Sequence, residues 1–151
     1  MKKNIKLLFM CILITFFIGN LFAIFIDASS YVNLKKVVNV PGYIFPIVWS
    51  ILYLLMAISL FIILKSNNEL KYKSIKLYFI QLIVNSLWTL LFFKFNMYFF
   101  SFIWIILLII LVINMVVYFF KINKLAGLLN IFYIIWLIFA SILNLGIVIL
   151  N

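Results

Sequence analysis

Five long apolar runs decide what this chain can fold into. Each is roughly 20 residues, the length at which a helix crosses a hydrocarbon core of about 30 Å. They lie near 5–26, 43–64, 74–93, 97–120 and 126–149. Hydrocarbon offers no partner to a backbone N–H or C=O, so a spanning segment must satisfy its own groups and folds as a helix. The runs take up most of the chain and leave no stretch for a soluble domain. The expected architecture is all-α integral membrane: a five-transmembrane-helix bundle, one domain over 1–151, with a longer loop between helices 1 and 2. Composition closes the soluble route. Of the 151 residues 70% are hydrophobic and 9% charged, at a mean hydropathy of +1.41, whereas a soluble domain carries roughly a quarter charged residues.

All twelve basic residues are Lys, and their placement is uneven. Lys2, Lys3, Lys6, Lys65, Lys71, Lys73, Lys76, Lys121 and Lys124 fall on one side of the alternating spans, against Lys35, Lys36 and Lys94 on the other. Cytoplasmic loops are the lysine-rich ones. The expected orientation therefore puts the N-terminus in the cytoplasm and the C-terminus outside. The net charge of +10 is a topology signal, and with no extended basic patch no nucleic-acid partner is expected. Lys2 and Lys3 before an apolar run, with Ala28-Ser29-Ser30 as a cleavage site, resemble a signal peptide. The run exceeds the 7–15 residues usual for one, so an uncleaved first span is expected. Cys11 is the single cysteine and excludes an intrachain disulfide.

Connections between spans are short except for 27–42, which reads DASSYVNLKKVVNVPG. Its mixed character, with Asp27, Tyr31, Lys35 and Lys36 beside Val37, Val38 and Val40, fits either a lid over the bundle or a segment lying in the headgroup region. No Gly-x-x-x-Gly helix-pairing motif occurs among Gly19, Gly42, Gly127 and Gly146.

Polar side chains inside the spans form stripes. Tyr78, Gln81, Asn85 and Trp88 share one helical face, Tyr133, Trp136, Ala140 and Asn144 another, and Trp49, Tyr53 and Ala57 a third. Three such stripes turned inward would line a flat-walled, aromatic, sparsely polar cavity. Asn and Gln also serve as interhelical glue, the default reading for Asn20 and Asn114, and Trp104 reads as interfacial or packing. The only acids, Asp27 and Glu69, stand at span edges or in loops, and there is no His. No catalytic set, metal-ligand cluster or phosphate loop can be assembled. What is left is stacking, apolar contact and a few hydrogen bonds, the chemistry of a binder.

The stretch Pro41-Gly42-Tyr43-Ile44-Phe45-Pro46-Ile47-Val48-Trp49-Ser50-Ile51-Leu52-Tyr53 resembles the span-two signature of the translocator protein family, also called tryptophan-rich sensory proteins or peripheral benzodiazepine receptors. Gln81 to Trp88 with Phe92-Phe93 resembles its span-three motif, and Tyr133 to Trp136 with Phe139-Ala140 and Leu143-Asn144 its span-five motif. The resemblance implies a five-helix fold, a homodimer, and a pocket beneath the loop between spans one and two that takes tetrapyrroles such as protoporphyrin IX. By position it implies ligand contacts from Tyr31, Pro41, Trp49, Tyr53, Asn85, Trp88, Trp136 and Ala140. The chain departs from the family pattern in the lid, where Val37-Val38-Asn39-Val40-Pro41 lacks a tryptophan and a Pro-Pro pair, and at Phe132, where a proline is usual. A sterol-recognition pattern is not met after Leu143.

The functional expectation is a membrane receptor or sensor for porphyrin or other flat hydrophobic small molecules, with no obligatory cofactor, no metal and no catalytic residue. The alternative is a carrier or exporter of such molecules. A light-dependent porphyrin-degrading enzyme is a weaker third reading, because the lid tryptophan is missing. Membrane lipid and a second copy of the chain are the other expected partners.

Overall fold

The computed structural model describes residues 2–26 and 29–151, with the side chains of Ser29 and Ser30 excepted. Asp27 and Ala28, the first residue of the cleavage-site reading, lie outside the described residues.

Helix α1 (Lys2–Gly19) ends in a 3-10 turn at Ala23–Phe25, and the short α2 (Ser29–Val32) sits within the long loop. Helix α3 (Ile44–Lys65) is followed by α4 (Lys71–Thr89), which runs into a π turn at Leu90–Lys94. Helices α5 (Tyr98–Ile122), α6 (Lys124–Leu129) and α7 (Ile131–Leu150) complete the described chain. Five segments are long and apolar enough to cross a membrane: Lys2–Phe25, Ile44–Lys65, Lys71–Lys94, Tyr98–Ile122 and Lys124–Leu150. The protein is an integral membrane protein with a five-helix bundle fold.

Local chemistry sets the breaks. The first turn of α3 holds Pro46, where backbone N–H groups have no intrahelical acceptor to lose. Asn68 Oδ1 accepts from Leu70 N at 2.8 Å ahead of α4. The turn into α5 passes through Asn96, whose φ of 53° suits an Asn better than most side chains. Asn123 caps α6 by accepting from Leu125 N at 2.9 Å and Ala126 N at 3.2 Å. The fifth span is broken at Asn130, whose Nδ2 donates back to the Ala126 carbonyl at 2.9 Å and across to Ser59 Oγ at 2.8 Å.

Around the bundle α1 packs on α3 and α4, α4 on α5, and α5 on α6 and α7, while α3 meets the fifth span chiefly through α6. The second and fifth spans are thus close at the α6 end and part toward the other. The core is built on spacings of three and four residues, as on α5, where Ser101, Ile105, Leu108, Val112, Met115 and Phe119 are all buried. The opposite face of α5 exposes Ile103, Ile106, Ile110, Ile113 and Val117. An outer surface this apolar is stable only against lipid.

Hydrogen bonds stitch the helices. Thr15 Oγ1 donates to the Cys11 carbonyl at 2.7 Å and lies 2.6 Å from the Tyr78 hydroxyl. Tyr133 OH donates to Gln81 Oε1 at 3.0 Å, Asn144 Nδ2 to Ser101 Oγ at 2.9 Å, and Ser86 Oγ to the Ile18 carbonyl. Trp104 Nε1 donates to the Val84 carbonyl at 2.8 Å, so Trp104 is a packing residue that ties α5 to α4. Asn114 corrects an expectation. It stands exposed between Ile113 and Met115, on the face α5 turns away from the bundle, where it ties α5 to no other helix of the bundle. Asn20 bonds the Phe16 carbonyl of its own helix at 3.0 Å.

Candidate ligand cavity

Where the second and fifth spans part, a cavity of about 350 Å³ opens between the ends of α1 and α4 and the halves of α3 and α7 nearest the long loop. Its floor is a hydrogen-bonded pair. Asn85 Nδ2 donates to Tyr53 OH at 3.2 Å, and Tyr53 OH donates to the Gly19 carbonyl at 2.9 Å. Gly19 is required by close approach, since a Cβ there would stand 2.5 Å from Tyr53 Cζ. Trp49 leans on Tyr53 with ring centres 5.5 Å apart, and its far edge meets Tyr133 at 6.0 Å. Ala140, Leu143 and Asn144 supply the α7 wall.

The α4 wall depends on the π turn. Its wider spacing brings consecutive residues Phe92 and Phe93 to the same neighbour, each with its ring centre 6.0 Å from that of Tyr31. Trp88 stacks on Phe92 at 5.2 Å and 26°. Phe45, 6.1 Å from Tyr31, closes an aromatic box around the tyrosine, and Lys36 Nζ sits 4.4 Å above its ring. Burial raises the Tyr31 phenol above its ordinary range and keeps it neutral. Tyr31 and Gly42 both line the cavity, so the long loop lies over it as a lid.

Of the side chains expected at a ligand site, the fold brings Tyr31, Trp49, Tyr53, Asn85, Trp88 and Ala140 to one cavity. Pro41 and Trp136 do not line it. Pro41 is exposed on the lid, and its neighbours Gly42 and Phe45 take the inward positions. Trp136 meets the edge of Phe45 at 5.9 Å, and Phe45 rather than Trp136 faces the cavity. The three polar stripes split by depth. Tyr78, Gln81, Ala57 and Tyr133 are fully buried core below the cavity, and the other stripe residues except Trp136 form its walls.

Gly19, Phe45 and Phe92 also line the cavity and escaped the reading from sequence. Asn144 lines it too, and its place on the α7 stripe four residues after Ala140 was the available signal. Trp88 contributes the face of its indole, since its Nε1 is sealed within the protein, and Asn85 Oδ1 carries no hydrogen bond among the described residues. Among those residues no three of His, Cys, Asp or Glu converge as metal ligands. The cavity can stack on a flat apolar molecule and offer it the Asn85 carbonyl as an acceptor.

A sequence profile of the TspO/MBR family matches residues 9–150. Over 132 positions the chain is 36% identical to protein CrtK of Rhodobacter capsulatus, covering 85% of this chain and 82% of that protein. It is 34% identical over 158 aligned positions to the tryptophan-rich protein TspO of Chlorobaculum tepidum, covering 100% of this chain and 99% of that one. With the tryptophan-rich protein TspO of Archaeoglobus fulgidus it shares 35% identity over 113 positions, 74% of this chain and 72% of the relative.

Proposed function

This chain belongs to the TspO/MBR family, a membership that supports a sensor- or transporter-type role in the membrane, and from that premise we propose that it is a receptor for protoporphyrin IX-like tetrapyrroles and other flat hydrophobic ligands. The observation that carries the reading is the aromatic cavity itself, walled by Trp49, Trp88 and Phe92 over the Tyr53–Asn85 floor. A macrocycle has two large π faces, and burying them between indole and phenyl rings supplies most of its binding free energy. The Asn85 carbonyl would then orient it through a pyrrole N–H or a ring substituent. Lys35 and Lys36 on the lid and Lys94 on the π turn stand at the mouth end of the bundle, suited to the carboxylates of an amphipathic ligand.

The remaining lysines gather at the opposite end, which we assign to the cytoplasm of a bacterial cell, so that the mouth faces outward. A homodimer belongs to the same proposal, on the family resemblance.

Titration of the purified protein in detergent with protoporphyrin IX, in the dark, tests the reading. Saturable quenching of Trp fluorescence is expected, weakened in Asn85→Ala. Equal affinity in Asn85→Ala and in an Ala140→Phe variant that fills the cavity would remove the site assignment. Uptake of the porphyrin into proteoliposomes would favour a carrier, and new pigment formed only in light would favour an enzyme.

A further inference from the structure

The lid is held to the bundle from an unexpected place, the last turn of α7. Asn151 Oδ1 accepts from the Lys35 backbone N–H at 3.0 Å, and Asn151 Nδ2 donates to the Lys35 carbonyl at 3.0 Å. One side-chain amide therefore satisfies both backbone groups of a single lid residue, the two-bond exchange that a neighbouring β-strand would give. The same Nδ2 also donates to the carbonyl of Ile147 at 3.0 Å, and Ile147 lines the cavity. One turn back, Val37 rests on Gly146. A Cβ at 146 would stand 2.5 Å from Val37 Cγ2, so the lid can lie this close only against a glycine.

Among the described residues the other hydrogen bonds of residues 31–40 are internal to the lid, from Leu34 N to the Tyr31 carbonyl and from Lys36 Nζ to the Val32 carbonyl. At the opposite side of the roof Tyr31 is held by ring contacts with Phe45, Phe92 and Phe93 and makes no hydrogen bond to them. Ring contacts of this kind tolerate sliding, whereas the amide pair fixes position and direction.

We propose that Asn151 and Gly146 are the latch of the lid, and that Tyr31 is the plug that leaves its aromatic box when the latch lets go. Asn151 is then a positioning residue for the cavity, although it does not line it. Release of a bound molecule requires Lys35 to part from Asn151, so the last turn of α7 governs residence time more than affinity for the walls. The latch stands on geometry alone, and only its effect on a bound porphyrin rests on the receptor reading.

Two measurements separate these. Hydrogen–deuterium exchange of the lid, without ligand, should quicken about three- to tenfold at the Lys35 amide in Asn151→Ala, the loss of one exposed neutral bond. Asn151→Asp keeps an acceptor for that N–H and should fall between the two. Gly146→Ala should quicken lid exchange as well, although Ala is the better helix former, so the effect cannot come from a frayed α7. Unchanged exchange in Asn151→Ala and Gly146→Ala overturns the latch whatever the protein binds.

The second measurement is a staple. An added Cβ at 146 would lie 3.3 Å from Val37 Cβ, close to the separation across a disulfide. In a Cys11→Ala background, oxidised Val37→Cys/Gly146→Cys should release protoporphyrin IX more slowly than the reduced form. Asn151→Ala should release it faster. Release rates that ignore both changes overturn the gating role. Failure of the wild type to bind the porphyrin would sink the receptor reading and leave the exchange result to judge the latch.

Discussion

Tyr53 and Gly19 touch across two helices, hydroxyl to carbonyl at 2.9 Å, with no room between ring and backbone for a methyl group. The contact explains how α1, whose outward face is broadly exposed, still fixes the cavity floor. Gly19→Ala should therefore displace Tyr53, break its bond from Asn85 and lower stability by about 1–3 kcal/mol, as overpacking does. Thermal unfolding in detergent measures it. A Tm equal to or above wild type would contradict the close approach.

Thr15 and Tyr78 form a polar pair below the cavity, both fully buried. The Thr15 proton goes to the Cys11 carbonyl, so the Tyr78 hydroxyl is the donor of the pair. Thr15→Val should strand that hydroxyl and cost about 1–3 kcal/mol. Adding Tyr78→Phe removes the stranded group, so the double variant should unfold at a higher Tm than Thr15→Val alone. Additive losses would show the two side chains to be uncoupled.

Ala140 is the small residue on the α7 wall, and its methyl faces the cavity. Ala140→Phe should occupy the space with an aromatic ring of its own. Porphyrin quenching is expected to vanish while Tm changes little, since the side chain enters a void. A large drop in Tm would mean that the wall has no such space.

The orientation is open to direct labelling. With Cys11 replaced by Ala, Lys94→Cys should react in intact cells with a membrane-impermeant maleimide, and Lys71→Cys should react only after lysis. The reverse pattern would invert the proposed topology.

Five spans could be read from the chain because length and hydropathy are local, summed properties that packing does not override. The faces of Tyr78, Gln81, Asn85 and Trp88 followed from the 3.6-residue period for the same reason. What periodicity cannot supply is depth. Tyr133 and Ala140 share one stripe, yet the first is core and the second is wall, because α3 and the fifth span diverge only above α6. Trp136 sits on that stripe too, and it is separated from the cavity by Phe45, a side chain on another helix. The Asn130 break was equally hidden, since an Asn within an apolar run does not announce that it bonds back to the Ala126 carbonyl as well as across to Ser59.

The π turn at Leu90–Lys94 carries a consequence of a different kind. Phe95 N bonds back to the Leu90 carbonyl and Met97 N to the Leu91 carbonyl, both at 2.9 Å, so this turn holds more residues than an α turn would. Deleting one residue there would remove the surplus and restore regular winding, with successive side chains again about 100° apart around the axis. Phe92 and Phe93 would then cease to share a neighbour, although every aromatic ring remained in the chain. In this segment the protein is constrained in residue count more tightly than in residue type, and a shortened homologue would lose the lid's seat without losing a single phenylalanine.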